Sequence, residues 1–392
     1  MLEIAILIAA GILLGAFAGL LPGVHPNLFA TLFLAASFAD PFGTALMLIA
    51  ASVTNSFVAF VPSVFLGAPE GGNELSILPG HTMLLEGRGY EAVRLTVIGG
   101  LLVVAAALVT LPVLAYVVPV LYALARPHLH WLLSGVLLYA FWRDRSVWPV
   151  VVVALSGALG LLALENFKEP LFPMLTGLFG TSGLLYSLKG NDSIPQQNLQ
   201  CEPFSSKSYL SGGLAGYLAG VAVGILPGIG VSQAAYLTQE ATRKDKDVRR
   251  FLVAIGGVTT ADAMFSLLAL WLIGNPRSGV AVSVGELLGQ VSISEVVAFL
   301  GVICFSAAVA AAVTLKIAEF VSIRFWKIEY KTLTLLVLSG LVAAVFLLAE
   351  FEGLGILALS TCIGLVAILS GARRSYCMGC LLVPTILFFA GF

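Results

Sequence analysis

The chain has 392 residues, 59% of them hydrophobic and 10% charged, with a net charge of −1 and a mean hydropathy of +1.03. Soluble domains carry roughly 25% charged residues, so this composition excludes a soluble globular protein, and no basic tract points to nucleic acid. Its apolar stretches have helical rather than barrel-strand length, which predicts an all-α polytopic protein of the bilayer with about 10–12 membrane segments.

The first segment, residues 2–38, lacks the basic start of a signal peptide and is expected to stay in the mature protein. It carries a glycine seam, Gly11, Gly15 and Gly19, then Pro22-Gly23. Glycine at every fourth position lets another helix pack close, and proline removes an N–H and clashes with the preceding turn. The segment reads as a helix broken partway across the bilayer. Segment two, residues 44–66, holds Thr54, Asn55 and Ser56 in its middle and ends at Gly67-Ala68-Pro69. Residues 73–94 read as short helices at the membrane face. Segment three, 95–125, is interrupted by Pro112 and Pro119; segments 130–142 and 147–164 follow. In 171–188 the spacing of Gly177, Gly180 and Gly183 favours a re-entrant hairpin.

The glycine seam and its break return 205 residues later as Gly216, Gly220, Gly224 and Pro227-Gly228. The Gly-x-Pro motif of Gly67 and Pro69 returns as Gly274-Asn275-Pro276, now 207 residues on. The expected organisation is therefore a first transmembrane repeat at 1–190, a hydrophilic linker at 191–209 and a second repeat at 210–392. Further spans are expected at 293–315, 332–348, 354–369 and 381–392. If the N-terminus is cytoplasmic and 171–188 does not cross, Arg88, Arg94 and the charged 243–250 loop fall inside. Arg126, Lys168, Lys189, Lys207 and Arg277 then fall outside, which satisfies the positive-inside rule. The first half then crosses five times, an odd number, which makes the two repeats inverted.

Gly/Pro interruptions at corresponding places in two halves are the best sequence pointer to a secondary transporter's binding site. A helix beginning after each break offers unsatisfied N–H groups and a positive dipole end, a site for carboxylate or phosphate. The expected substrate-binding residues are Pro22, Gly23, His25, Asn27, Asn55, Gly67, Pro69, Pro227, Gly228, Gly230, Ser232, Gln233, Thr259, Thr260, Asn275 and Pro276. Thr54-Asn55 and Thr259-Thr260 share the 205-residue offset. Asp262 lies midway along an apolar helix, where a charge costs about 2.5–3.5 kcal/mol on insertion scales. Asp262 and His25 are the candidates for ion coupling. Cys377 and Cys380 form a lone pair without a second pair or His cluster, so no metal site is expected.

The stretches 19–27, 67–72, 78–92 and 224–230 resemble the large membrane subunit (TctA type) of tripartite tricarboxylate transporters, especially the shorter archaeal-type members. The family's Pro-Gly-x-Gly motif is matched by Pro227-Gly228-Ile229-Gly230, while the first copy reads Pro22-Gly23-Val24-His25. The resemblance implies uptake of di- or tricarboxylates driven by a proton or sodium gradient. It also implies a small membrane subunit and a periplasmic binding protein as partners.

The expected function is secondary active transport of an organic anion by alternating access, in a prokaryotic plasma membrane, with no cofactor beyond the coupling ion. The alternative is a translocase for an anionic lipid carrier such as a polyprenyl phosphate. An enzyme is not expected: there is no His-Glu-x-x-His and no evident nucleophile–base pair. A homo-oligomer is compatible with the sequence.

Overall fold

The computed structural model describes residues 2–21, 40–67, 74–167, 170–188, 195–201, 203, 205–225, 231, 234–235, 237–238, 248–274, 276, 278–325 and 330–391. Its helices in the first half are α1 (Leu2–Leu20), α2 (Pro41–Val58), α3 (Phe60–Leu66), α4 (Glu74–Leu85), α5 (Gly89–Ala125), α6 (Leu129–Asp144) and α7 (Trp148–Asn166). Next come α8 (Leu171–Leu175), a π-helical turn (Thr176–Thr181) and α9 (Ser182–Ser187). The second half has α10 (Ser206–Ile225), α11 (Val248–Ile273), α12 (Gly279–Leu288), α13 (Ile293–Phe325), α14 (Tyr330–Leu369), a 3-10 turn (Arg374–Met378) and α15 (Gly379–Ala390). Among the described residues seven helices are long and apolar enough to cross a membrane. The outer helices turn large apolar side chains outward, such as Val109, Tyr116, Trp131, Leu347 and Phe351, as expected where the solvent is lipid. The protein is an all-α polytopic membrane protein.

Two long elements are enclosed by the rest. In α2–α3 and in α11, 94% of the most apolar window is buried, against 22–44% in the other long spans. They are the central pair, and each carries a glycine-seamed helix. A Cβ at Gly11 would strike the Met47 carbonyl, one at Gly15 the Ala51 carbonyl, and one at Gly19 the Val58 side chain. In the second half Gly216 lies on Ala254, Gly220 on Ala261 and Gly224 on Phe265. Ascending numbers meet ascending numbers, so α1 runs parallel to α2 and α10 runs parallel to α11.

Leu20 and Pro41 therefore sit at opposite ends of one parallel pair, and Ile225 and Val248 at opposite ends of the other. The breaks expected at Pro22-Gly23 and Pro227-Gly228 lie outside the described residues. α1 ends abreast of Val58 and Ala59, seven residues before α3 ends at Leu66, or about 10 Å at 1.5 Å per residue. α10 ends abreast of Phe265, eight residues short of Ile273, or about 12 Å.

The end of α3, the start of α5 and the start of α11 share one face. His81 Nδ1 donates to the Val64 carbonyl at 3.0 Å, which ties α4 to α3. Phe65 lies against Gly89. Glu91 accepts from Arg88 (3.0 and 3.1 Å) and lies 4.0 Å from Arg249. α2 therefore runs antiparallel to α5 and α11. The hydrophilic linker joins the same face. Gln197 Oε1 accepts from the Gly89 N–H at 2.8 Å, its Nε2 donates to the Leu84 carbonyl at 3.0 Å, and the Asn198 N–H donates to the Gly87 carbonyl at 2.8 Å. The linker and Arg88 were expected on opposite faces, and the structure puts them together.

Residues 171–187 are also corrected. They form a continuous helical run with one π-turn rather than a hairpin. The glycines serve contact: Gly177 lies against Ser360 and Leu357 of α14, and Thr181 Oγ1 hydrogen-bonds Thr361 Oγ1 at 2.5 Å. Pro112 and Pro119 do not interrupt α5. The spans expected at 332–348 and 354–369 are two helices within α14 that meet at a kink at Ala349 and Glu350, where the backbone leaves the helical region and Glu350 takes φ 50.

Candidate functional site

The site is built where the two enclosed elements cross. Ser56 Oγ on α2 donates to the Val53 carbonyl at 2.8 Å and reaches Thr260 Oγ1 on α11 at 3.4 Å. Thr260 and Phe57 close over Gly100 of α5, where a Cβ would lie 2.6 and 2.8 Å from them. Thr54 Oγ1 is buried with no hydrogen-bond partner among the described residues. Asn55, Thr54 and Thr260 are all buried. Polar side chains thus gather at the middle of an otherwise apolar core, where each needs a hydrogen-bond partner to offset its burial.

The two seams seat similarly. Gly11 rests on Met47 and Gly216 on Ala254, partners 207 residues apart; Gly15 rests on Ala51 and Gly220 on Ala261, 210 apart; Gly19 rests on Val58 and Gly224 on Phe265, 207 apart. The caps agree. Gly67 ends α3 with φ 63 and Gly274 ends α11 with φ 62, again 207 residues apart. Both occupy the left-handed region that glycine tolerates without a Cβ penalty. Counted from the caps, the offset sets Ser52 and Asn55 against Thr259 and Asp262; counted from the seam glycines, it sets Thr54 and Asn55 against Thr259 and Thr260.

Ser52 was missed by sequence reasoning, and applying the cap-to-cap offset along α2 would have found it. In the run from Gly43 to Phe65 it alone keeps accessible surface. In the run from Phe251 to Ala269 only Thr259 and Asp262 do so. Each pair, Ser52 with Asn55 and Thr259 with Asp262, is spaced i, i+3 and so shares one helix face.

Not all the expected site residues converge. Gly67 lies twelve residues beyond Asn55, about 18 Å along the axis, at the face of Arg88 and Arg249. Pro276 lies three residues past the end of α11, which is itself eleven residues, about 16 Å, beyond Asp262 toward the opposite face. They mark helix ends, not one shared pocket. Pro22, Gly23, His25, Asn27, Pro69, Pro227, Gly228, Gly230, Ser232, Gln233 and Asn275 lie outside the described residues. Among the described residues no group of three or more His, Cys, Asp or Glu could hold a metal ion. Cys377 and Cys380 are buried and form no disulfide, and Cys380 packs on Gly160 of α7.

Comparison with known proteins bears on what such a site serves. The chain is 32% identical over 353 residues to an uncharacterized protein of Methanocaldococcus jannaschii, covering 87% of each chain. No solved structure matches. The profile of the family described as "Tripartite tricarboxylate transporter TctA family" matches residues 5–379. That family is one of transporter components rather than enzymes, and its tripartite systems pair the large membrane subunit with a small one and a binding protein. With nearly its whole length matched, this multi-pass membrane protein belongs to the tripartite tricarboxylate transporter TctA family.

Proposed function

We propose that the protein moves an organic anion, a di- or tricarboxylate, across the plasma membrane by alternating access of two inverted halves, drawing on an ion gradient. The observation that carries this reading is the similar seating of α1 on α2 and of α10 on α11, the two pairs running in opposite directions. Repeats related in this way place the substrate between them near the midplane. The halves are residues 1–190 and 210–392, joined by the linker. The family assignment supports a carboxylate cargo and gives no support to a lipid carrier. The expected result is that purified protein in liposomes accumulates labelled citrate or succinate under an imposed proton or sodium gradient. Failure with a broad panel of di- and tricarboxylates under both gradients overturns the reading.

The helix directions also bear on orientation. Arg88, Arg94, Arg249 and Arg250 cluster with the linker, and Lys316 and Glu319 of α13 lie within electrostatic reach of Tyr90 at the same face. Cations mark the cytoplasmic side. We infer that this face is cytoplasmic and that the N-terminus, at the far end of α1, is external, the reverse of the orientation expected from sequence. In intact cells an impermeant thiol reagent is expected to label a Glu3→Cys variant and to reach Cys201 of the linker only after lysis. The opposite labelling pattern restores a cytoplasmic N-terminus.

A further inference from the structure

The stretch between α14 and α15 carries two adjacent arginines with different fates. Arg373 is paired with Asp144 at the end of α6, 2.7 Å away. Arg374 turns toward the 171–187 run instead. Its Nη2 donates to the Leu178 carbonyl (3.0 Å), the Phe179 carbonyl and the Ser182 hydroxyl (2.9 Å). Its Cζ lies 5.7 Å from the centre of the Phe179 ring. Every one of these partners is neutral. Among the described residues Arg374 meets no carboxylate, its Nε is buried without a hydrogen-bond partner, and its Nη1 donates to nothing. A guanidinium pinned in this way has donors to spare and a charge that nothing described offsets, which is costly away from water.

The free end of that guanidinium is open on one side. Nη1 lies 3.0 Å from where a Cβ on Gly183 would stand, so a larger residue there would cover it. Gly183 keeps accessible surface, and Leu185 and Tyr186 beyond it are exposed. Leu184 packs with Val337 and Leu341 beside Leu66 and Leu85, the last residues of α3 and α4, which sets this edge at the face of the linker. Trp142 and Trp148 are exposed on either side of the α6–α7 loop, and aromatic residues so placed mark the headgroup level of a bilayer. Between the tryptophans stand Arg143 and Arg145. The two loops tied by the Arg373–Asp144 pair therefore carry four arginines against one acid.

We propose that Arg374 binds the phosphate of an anionic phospholipid of the cytoplasmic leaflet, seated over Gly183 and drawn in by the arginines of the two loops. Basic pockets between membrane helices on the cytoplasmic side take such headgroups. A zwitterionic headgroup would bring its own cation into this positive edge. A free anion would gain nothing from the exposed Leu185 and Tyr186. The lipid is a resident of the bilayer and not cargo, so this site stands or falls apart from the transport reading.

The test uses the full chain in detergent, supplied with phosphatidylglycerol, phosphatidylcholine, inorganic phosphate or citrate. Native mass spectrometry reads the lipid retained, and a melting curve reads the thermal midpoint. Wild type is expected to retain phosphatidylglycerol and to melt higher with it, and to respond to neither phosphatidylcholine nor, at this site, the two free anions. Arg374→Gln is expected to weaken retention by about fivefold or more, the worth of one arginine near an anionic surface. That variant also gives up the bonds to the π-turn, so Gly183→Leu supplies a second reading. It leaves Arg374 in place, covers Nη1, and is expected to weaken retention as much. Arg324→Gln, which alters an exposed arginine at the end of α13, is expected to retain lipid as wild type does. Equal retention of the two lipids by wild type overturns the proposal, as does wild-type retention by both Arg374→Gln and Gly183→Leu. A rise in midpoint with phosphate or citrate that both variants abolish assigns Arg374 to a free anion and overturns the lipid site.

Discussion

A Gly99→Leu variant is expected to yield little monodisperse protein, and what remains is expected to melt well below wild type. At Gly99 even a Cβ would strike the Val253 carbonyl, and at Gly256 it would strike the Thr96 carbonyl. The two glycines face each other's helices at the closest approach of α5 and α11, so backbone meets backbone on both sides. A side chain has nowhere to go without driving the helices apart. Overpacking of this kind costs about 1–3 kcal/mol and occasionally more, and here the obstruction is main chain rather than a movable rotamer. Gly135→Ala is the control. Nothing lies within 4 Å of its Cβ position, and alanine favours a helix interior by about 0.5–1 kcal/mol. Size-exclusion profiles and thermal midpoints in detergent check both. A Gly99→Leu variant that behaves like Gly135→Ala would show that the α5–α11 contact is looser than its geometry.

The second large effect is expected from Asp144→Ala. Asp144 Oδ2 accepts from Arg373 Nε (2.8 Å) and from the Tyr376 hydroxyl (2.6 Å), and Arg373 Nη2 donates to that hydroxyl as well (2.6 Å). The Asp144 side chain is 14% exposed and that of Arg373 25%. Removing one member of a buried pair strands the other at a cost of about 3–5 kcal/mol, with the lower end expected because the guanidinium still reaches solvent. The network joins α6 of the first half to the turn before α15 of the second. Its loss is expected to lower the thermal midpoint and to loosen the halves. Asp144→Ala/Arg373→Ala is expected to recover part of the loss, since no uncompensated charge remains. Equal midpoints for wild type and Asp144→Ala would contradict this.

The glycine seams were legible because glycine acts locally, through a missing Cβ. Gly11, Gly15 and Gly19 announce a close helix contact wherever they sit, and the structure supplies it with α2. The seam could not announce direction. A proline after an apolar helix looks alike whether the chain goes on or turns back, and only the parallel packing of α1 on α2 tells the two apart. The seams and the caps carry different offsets, 205 for Gly11 with Gly216 and 207 for Gly67 with Gly274. Two residues are more than half a helical turn, so neither offset alone matches side chains along the helices between them. Glycine spacing in 171–188 misled because small residues serve tight crossings as readily as reversals, and Gly177 serves a crossing with α14. Proline misled in α5, where neighbouring helices hold the chain past Pro112 and Pro119.

The linker ties the helix starts of one face together. Gln197 laces the end of α4 to the start of α5, the Cys201 thiol lies beside Arg94, and Arg249 at the head of α11 donates to the Pro203 carbonyl at 3.4 Å. If the halves rock as proposed, a motion that opens this edge must first unpick those bonds, which makes this edge the expected hinge.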